Sequence, residues 1–139
     1  MKKLLILEDN VNRISQFAMN FSNAQIDFVQ TPIEAIELLK TNKYNFLFLD
    51  HDLGGKIHCP SDQNSGYAVA KWLEENPQFK PTEDIILHTY NTVGCYNMKA
   101  ALPEAIILPS VWTLEIDFDT FEHCEEQSGV QISKQESLN

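Results

Sequence analysis

The side chains of this protein that could do chemistry lie just after short apolar runs. Glu8 and Asp9 follow the first run, and Asp50, His51 and Asp52 follow a later one. Carboxylates that crowd together need raised pKa values or a compensating cation. A hard divalent ion bound by oxygen ligands meets that need. We therefore expect a Mg²⁺ (or Mn²⁺) site formed by Glu8, Asp9, Asp50 and Asp52.

Two histidines end neighbouring strands of the predicted sheet, His51 and His88. Their rings could face each other as a general acid and a general base on either side of a phosphodiester. Strict alternation would put both rings on the face opposite Asp50 and Thr89, so this hypothesis requires the strand ends to break the alternation. The structural alternatives are a core role for His88, a turn or helix-cap role for Asp52 and a charged helix start at Glu8 and Asp9.

Apolar runs alternate with segments of helical periodicity along the first 110 residues. Strands are predicted at about 4–7, 24–30, 45–49, 84–89 and 105–109. Helices are predicted at about 11–23, 31–41, 66–75 and 95–102. Such alternation is typical of right-handed crossovers and a parallel sheet. We expect an α/β fold with a doubly wound, five-stranded parallel sheet in the flavodoxin-like order 2-1-3-4-5, forming a three-layer sandwich.

The pattern weakens after residue 111. Residues 114–118 alternate as in a half-buried edge strand, and Asp119 could cap a final helix that runs to about residue 127. We expect one domain at 1–112, followed by a C-terminal extension at 113–139 that is partly frayed.

Composition narrows the classes of partner. The 139 residues carry 20 acidic and 10 basic side chains, a formal charge of −10, with no basic stripe. We therefore do not expect nonspecific duplex binding, and we expect a small phosphate-containing ligand or a partner protein. The first apolar run is too short for a signal or a membrane span. Three cysteines without C-x-x-C spacing favour reduced thiols and a cytoplasmic location. The oligomeric state is left open.

Further polar residues are candidates for binding a ligand. Arg13 lies one helical turn after Asp9 and could reach a phosphate or pair with Asp9. Asn91 and Asn97 could orient a ligand or cap turns and helices. Residues 54–65 form a long loop of turn-forming residues, and such loops are often functional.

The chain from about residue 2 to 110 resembles the receiver domains of two-component response regulators. The resemblance lies in the acidic pair Glu8 and Asp9, in Asp50 and in Thr89. It implies that Asp50 is the phosphoacceptor, that Glu8 and Asp9 bind Mg²⁺ and that Thr89 senses the phosphoryl oxygen. Receivers carry a lysine before the proline after strand five, and this chain has Leu108 there.

Segments 50–55, 65–73 and 88–98 look more like a divergent subgroup, the cyclic-phosphate processing receiver-like domains. This resemblance implies a metal-dependent phosphoesterase, or a domain that binds phosphodiesters, and the residues expected to do its chemistry are His51, His88 and Asp50. The alternative is a degenerate receiver that acts as a protein-interaction or phosphoacceptor signalling module. The sequence alone does not choose between them.

Overall fold

The computed structural model describes residues 1–122. The main sheet contains five strands, β1 (Lys2–Leu7), β3 (Ala24–Val29), β4 (Phe46–Leu49), β5 (Ile85–Leu87) and β6 (Ile106–Ile107). Four α-helices connect them, α1 (Val11–Asn20), α2 (Pro32–Thr41), α3 (Tyr67–Glu75) and α4 (Thr92–Ala101). Short 3₁₀ turns occur at Pro77–Phe79 and Val111–Thr113.

All neighbouring strands of the main sheet are parallel, in the order β3-β1-β4-β5-β6. Counted along the main sheet alone, this is the order 2-1-3-4-5, so the predicted fold class is confirmed. Residues Leu4–Leu7 of β1 and Phe46–Leu49 of β4 are all apolar, as expected for strands that are covered on both faces. Residues of β1 and β4 are accordingly fully buried from Leu4 to Leu7 and from Phe46 to Leu49.

Alternate side chains of each strand enter two separate cores. Leu5, Leu47 and Leu87 pack with residues of α2, α3 and α4 on one face. Leu4, Phe48 and Ile86 pack with Phe17 of α1 on the other face. We call these the α4 face and the α1 face. Each strand-end residue therefore belongs to one face or the other, and this division decides where its side chain can reach.

Side-chain caps set the starts of α1 and α2. Asn10 accepts a hydrogen bond from the amide of Arg13 at the start of α1. Thr31 caps α2 by accepting from the Glu34 amide, as the sequence predicts, but the Glu34 carboxylate accepts from the amide of Gln30 rather than from that of Thr31 as in a capping box. Asn10 thereby fixes the beginning of α1 directly after the Glu8 and Asp9 carboxylates.

The end of α1 and the residues after 111 differ from the prediction. The helix stops at Asn20, and Phe21–Ser22 form a two-residue strand, β2. The predicted edge strand shortens to Ile116–Asp117, β7, which pairs in parallel with β2 in a separate small sheet. Phe118 is buried in the core of the α1 face. The helix predicted from Asp119 to about residue 127 lies largely outside the described residues.

Candidate functional site

Three carboxylates meet where β1 and β4 end. Glu8 follows β1, and its amide donates to the carbonyl of Val29, while the Asp50 amide donates to the carbonyl of Leu7. The neighbouring parallel strands therefore bring both residues to one edge of the sheet. One ligand oxygen from each of Glu8, Asp9 and Asp50 lies within 4.8 Å of the others. We call this group the acidic centre.

Glu8 is completely buried and has a donor on each oxygen. Its Oε1 lies 3.0 Å from His88 Nε2, and its Oε2 accepts from the amide of Asn10 at 3.0 Å. Burial alone would raise the pKa of Glu8, but the His88 hydrogen bond and charge, the Asn10 amide and the Arg13 guanidinium together lower it. Glu8 is therefore held in its charged form.

Asp50 shows the opposite behaviour. Burial and the neighbouring charge of Glu8 raise its pKa to about 8, although Arg13 and a 2.8 Å hydrogen bond from the His51 amide act against that rise. Two buried carboxylates at this separation repel each other when both are charged. Carboxylate oxygens are the donors that Mg²⁺ and Mn²⁺ accept, so the residues of the acidic centre fit such an ion.

Arg13 supplies positive charge beside the acidic centre. Its Nη1 lies 3.8 Å from Glu8 Oε1 and 3.9 Å from Asp50 Oδ2. Its Cζ lies 5.4 Å from the ring centroids of both Tyr90 and Trp112. The predicted alternative, an ion pair with Asp9, is replaced by these two contacts. The two aromatic rings hold the guanidinium beside the acidic centre.

A cavity of about 420 Å³ opens over the acidic centre. It is lined by Glu8, Asp9, Asn10, Arg13, Asp50, Asp52, Gly55, Lys56, Ile57, His58, Thr89, Tyr90 and Asn91. The predicted ligand-binding residues Arg13, Thr89 and Asn91 are therefore in its wall. Asn97, also predicted to bind a ligand, is not among the lining residues, because its side-chain amide donates to Ser61 Oγ at 2.8 Å.

His51 lies on the α4 face, away from the acidic centre. Its ring is completely buried, with Nδ1 2.8 Å from Asp52 Oδ1 and Nε2 2.8 Å from Ser61 Oγ. A β-carbon added at Gly94 of α4 would lie 2.5 Å from this ring, so α4 packs directly against it. The ring therefore connects the end of β4, through its contacts, to the loop at residues 54–65 and to α4.

His88 lies on the α1 face, where its ring packs edge-on against that of Phe17 at 5.2 Å. The prediction that the two imidazoles face each other across the crevice is therefore wrong. Its physical cause is the register of the sheet. Leu49 pairs with Leu87, so His88 is level with Asp50 and shares its face, while His51 is directed to the other face.

Asp52, the fourth carboxylate of the predicted metal site, is not part of the acidic centre. One oxygen accepts from Asn91 Nδ2 at 2.9 Å and the other from the His58 amide at 2.6 Å. Burial acts to raise the pKa of Asp52, but the hydrogen bonds from His51, Asn91, His58 and Cys59 together lower it to about 2. Its oxygens are thus engaged in ordering the loop after β4.

A comparison with protein families shows the family to which the chain belongs. A family model described as the cyclic-phosphate processing receiver domain matches residues 4–104, well over half of the chain. The chain belongs to this receiver family. A comparison with curated protein sequences gave no match.

Solved receiver structures share the fold of this receiver domain. The phosphorylated cyanobacterial phytochrome response regulator RcpA is 16% identical, with a TM-score of 0.59, over 76% of this chain and 77% of its own. The regulator TrrA from Thermotoga maritima in complex with Mg²⁺ and BeF is 22% identical, with a TM-score of 0.55, over 77% and 83%. A CheY-like receiver from Methanospirillum hungatei JF-1 is 17% identical, with a TM-score of 0.53, over 77% and 78%.

The receiver domain also carries site residues that the sequence did not single out. Tyr90 and Trp112 contact Arg13, and His58 lines the cavity. Leu108, which stands where other receivers have a lysine, is buried in the core of the α1 face. The positive charge next to Asp50 therefore comes from α1 rather than from the segment after the last strand of the main sheet.

Proposed function

We propose that this receiver domain binds a cyclic phosphate or related phosphodiester at a Mg²⁺ or Mn²⁺ site and opens it by hydrolysis. The observation that carries the proposal is the acidic centre itself, three carboxylates within reach of one ion, with Arg13 beside two of them. The family description and the Mg²⁺-containing TrrA structure support the same reading.

The ion would be held by Glu8, Asp9 and Asp50, and its chemistry is to neutralise charge on the phosphate oxygens. His88 and the Asn10 amide fix the Glu8 carboxylate through hydrogen bonds. The Asp9 carboxylate is held by the amide of Gly55 at 3.0 Å. These contacts position the oxygens before the ligand arrives, which reduces the cost of binding.

Arg13 is the residue that binds a phosphate oxygen in this proposal. Its guanidinium is planar and always charged, and it forms paired hydrogen bonds with phosphate. Thr89, at the same edge of the sheet, offers a hydroxyl that accepts from the Asn91 amide at 3.1 Å and can donate to the ligand. Arg13 and Thr89 thus contact the phosphate from two sides of the cavity.

The hydrolysis adds one water molecule to the cyclic phosphate. A new P–O bond forms, one ring P–O bond breaks, and the oxygen that leaves takes up a proton to become a hydroxyl. Asp50 orients the attacking water in this proposal, because its Oδ2 lies 3.9 Å from Arg13 on the cavity wall, whereas the two oxygens of Glu8 are engaged by His88 and by the Asn10 amide. His51 has no contact with the reacting groups in this scheme, and His88 acts only through Glu8.

The test uses purified protein with Mn²⁺ or Mg²⁺ and a nucleoside 2′,3′-cyclic phosphate. We expect a phosphomonoester product, detected by phosphorus NMR, that disappears with EDTA and with Asp50→Asn. Glu37→Gln, a change at an exposed carboxylate of α2, is the matched control and should keep full activity. Equal product from Asp50→Asn, or metal titrations by calorimetry that show no heat of binding to the wild type, would contradict the proposal.

A second candidate is a phosphoacceptor or protein-interaction module. The position of Asp50 at the end of β4, with Thr89 after the neighbouring strand, favours it. The replacement of the lysine by buried Leu108 weighs against it. Treatment with acetyl phosphate and Mg²⁺ tests the phosphoacceptor form of this candidate. A base-labile acyl phosphate on Asp50 would support signalling, whereas an unlabelled protein is expected both for the first proposal and for a module that only binds a partner protein.

A further inference from the structure

The cavity over the acidic centre contains two apolar side chains that are open to solvent. Tyr90 is 52% exposed and Ile57 is 81% exposed, and both line the cavity. Every other side chain in its wall is polar or charged, apart from the glycine. A phosphate alone does not need apolar neighbours. Pockets that bind organic ligands usually combine apolar walls with a few polar groups.

Tyr90 is held firmly for an exposed aromatic residue. Its hydroxyl shares a hydrogen bond with Ser110 Oγ, and the Arg13 guanidinium lies near its ring. The residues on either side of it are buried, and one of them, Asn91, caps α4 through the Gly94 amide at 2.9 Å. A ring that is already fixed loses little conformational entropy when a ligand stacks on it.

We propose that Tyr90 is a stacking platform for a nucleobase, so that the substrate class of this site is a nucleoside cyclic phosphate. This inference rests on the proposed function. Arg13 contacts both the acidic centre and the Tyr90 ring. The phosphate of one ligand could therefore bind at the acidic centre while its base stacks on Tyr90. Ile57, in the loop after β4, adds apolar surface to the same cavity.

The charge of the protein favours a free nucleotide over the end of a long RNA. The formal net charge is −10, and only Arg13 and Lys56 bring permanent positive charge to the cavity wall. Each additional phosphate of an RNA chain would need its own cation to bind well. A mononucleotide presents one phosphate, which Arg13 and the bound ion can neutralise.

The experiment compares two ligands with the same five-membered cyclic phosphate, adenosine 2′,3′-cyclic phosphate and glycerol 1,2-cyclic phosphate. Binding is measured by titration calorimetry with Mg²⁺, and the ligand is recovered to determine how much was opened. Stacking on an aromatic side chain contributes about 1–3 kcal/mol per base. We therefore expect the wild type to bind the adenosine ligand about tenfold more tightly.

Two variants separate the ring from the hydroxyl. Tyr90→Leu should abolish the preference for adenosine, and Tyr90→Phe should retain it, because the ring is kept. Tyr96→Leu, at an exposed tyrosine of α4 outside the cavity, is the control and should behave as the wild type. Glycerol cyclic phosphate reports whether Tyr90→Leu also disturbs Arg13, since that ligand has no base.

The outcomes are distinguishable. Equal wild-type affinity for the two ligands, or a preference that survives Tyr90→Leu, would overturn the base platform and leave the proposed phosphate site standing. Failure of both ligands to bind in the presence of Mg²⁺ would reject the proposed function and this inference together. An RNA octanucleotide with the same adenosine cyclic phosphate end should bind more weakly than the mononucleotide, and tighter binding would overturn the assignment to a free nucleotide.

Discussion

His88 Nε2 lies 3.0 Å from Glu8 Oε1, and both side chains are completely inaccessible to solvent. His88 Nδ1 is buried and has no partner among the described residues. The ring therefore makes its single hydrogen bond with Glu8, and its edge-on contact with Phe17 fixes its orientation. His88 is a positioning residue for a carboxylate of the acidic centre.

Replacing His88 should destabilise the protein. His88→Ala leaves the buried Glu8 charge without its ring donor, and breaking a buried pair from one side costs about 3 kcal/mol or more. His88→Gln can keep a donor near Glu8 and should lose less. Urea unfolding at pH 7 measures both, with His58→Asn as a control at an exposed residue of positive φ. If His88→Ala unfolds at the wild-type urea concentration, the pair is not structural.

Asp50 should make the stability of the metal-free protein fall as the pH rises. Its pKa is raised from 3.8 to about 8 in the folded chain, so between pH 4 and 8 the folded state holds a proton that the unfolded state releases. Stability therefore decreases across that interval. Asp50→Asn cannot ionise, and its advantage over the wild type should grow by up to about 4 kcal/mol between pH 5 and pH 8.

Unfolding free energies in urea with EDTA at the two pH values test this prediction. Glu37→Gln is the control. Because the Glu37 carboxylate is exposed, this substitution should change the unfolding free energy by the same amount at both pH values. Parallel curves for the wild type and Asp50→Asn would contradict the raised pKa. Added Mg²⁺ should stabilise the wild type most at pH 8, where the Asp50 carboxylate is charged and can bind it.

Arg13 should determine phosphate affinity. Arg13→Gln removes the charge beside the acidic centre, and a charge-assisted hydrogen bond contributes about 1.5–3 kcal/mol, so affinity for the cyclic phosphate should fall roughly 10- to 100-fold. Arg13→Lys keeps the positive charge but loses the planar guanidinium, so its affinity should lie between that of the wild type and that of Arg13→Gln. Lys56→Gln, in the same cavity wall, should change affinity less than Arg13→Gln, and the reverse order would refute the assignment.

Gly66 should not accept a side chain. A β-carbon at this position would lie 1.7 Å from the carbonyl oxygen of Asp50, whereas Gly54 has nothing within 4 Å. Gly66→Ala should therefore lower the unfolding free energy by about 2 kcal/mol or more, despite the better helix propensity of alanine. Gly54→Ala, at φ +71°, should cost about 1–2 kcal/mol. A Gly66→Ala protein more stable than the wild type would show that α3 begins elsewhere.

The fold and the acidic centre were predictable because each depends on a local pattern. Apolar runs that end in carboxylates mark buried strands and their carboxyl ends, and Glu8, Asp9 and Asp50 follow from that pattern alone. β2 was not predictable, since a two-residue strand is too short to show a periodicity, and the alternation at residues 114–118 predicted β7 but made it too long.

The face of each histidine required information that no short segment contains. One step in the register between β4 and β5 decides whether His88 shares a face with Asp50 or with His51. The contacts of Arg13 with Tyr90 and Trp112 likewise join residues far apart in the chain. Of Tyr90 and Trp112, Tyr90 was the easier to predict as a site residue from the sequence, because it directly follows Thr89.

The placement of Trp112 gives this protein an optical reporter of its own. Its indole lies next to Arg13, while the only other tryptophan, Trp72, stacks on Phe79 at 5.2 Å. A phosphate that draws the guanidinium away from the indole should change the emission of Trp112 and leave that of Trp72 constant. Trp72→Phe would then leave a single fluorophore, so that occupancy of the site could be followed without any attached dye.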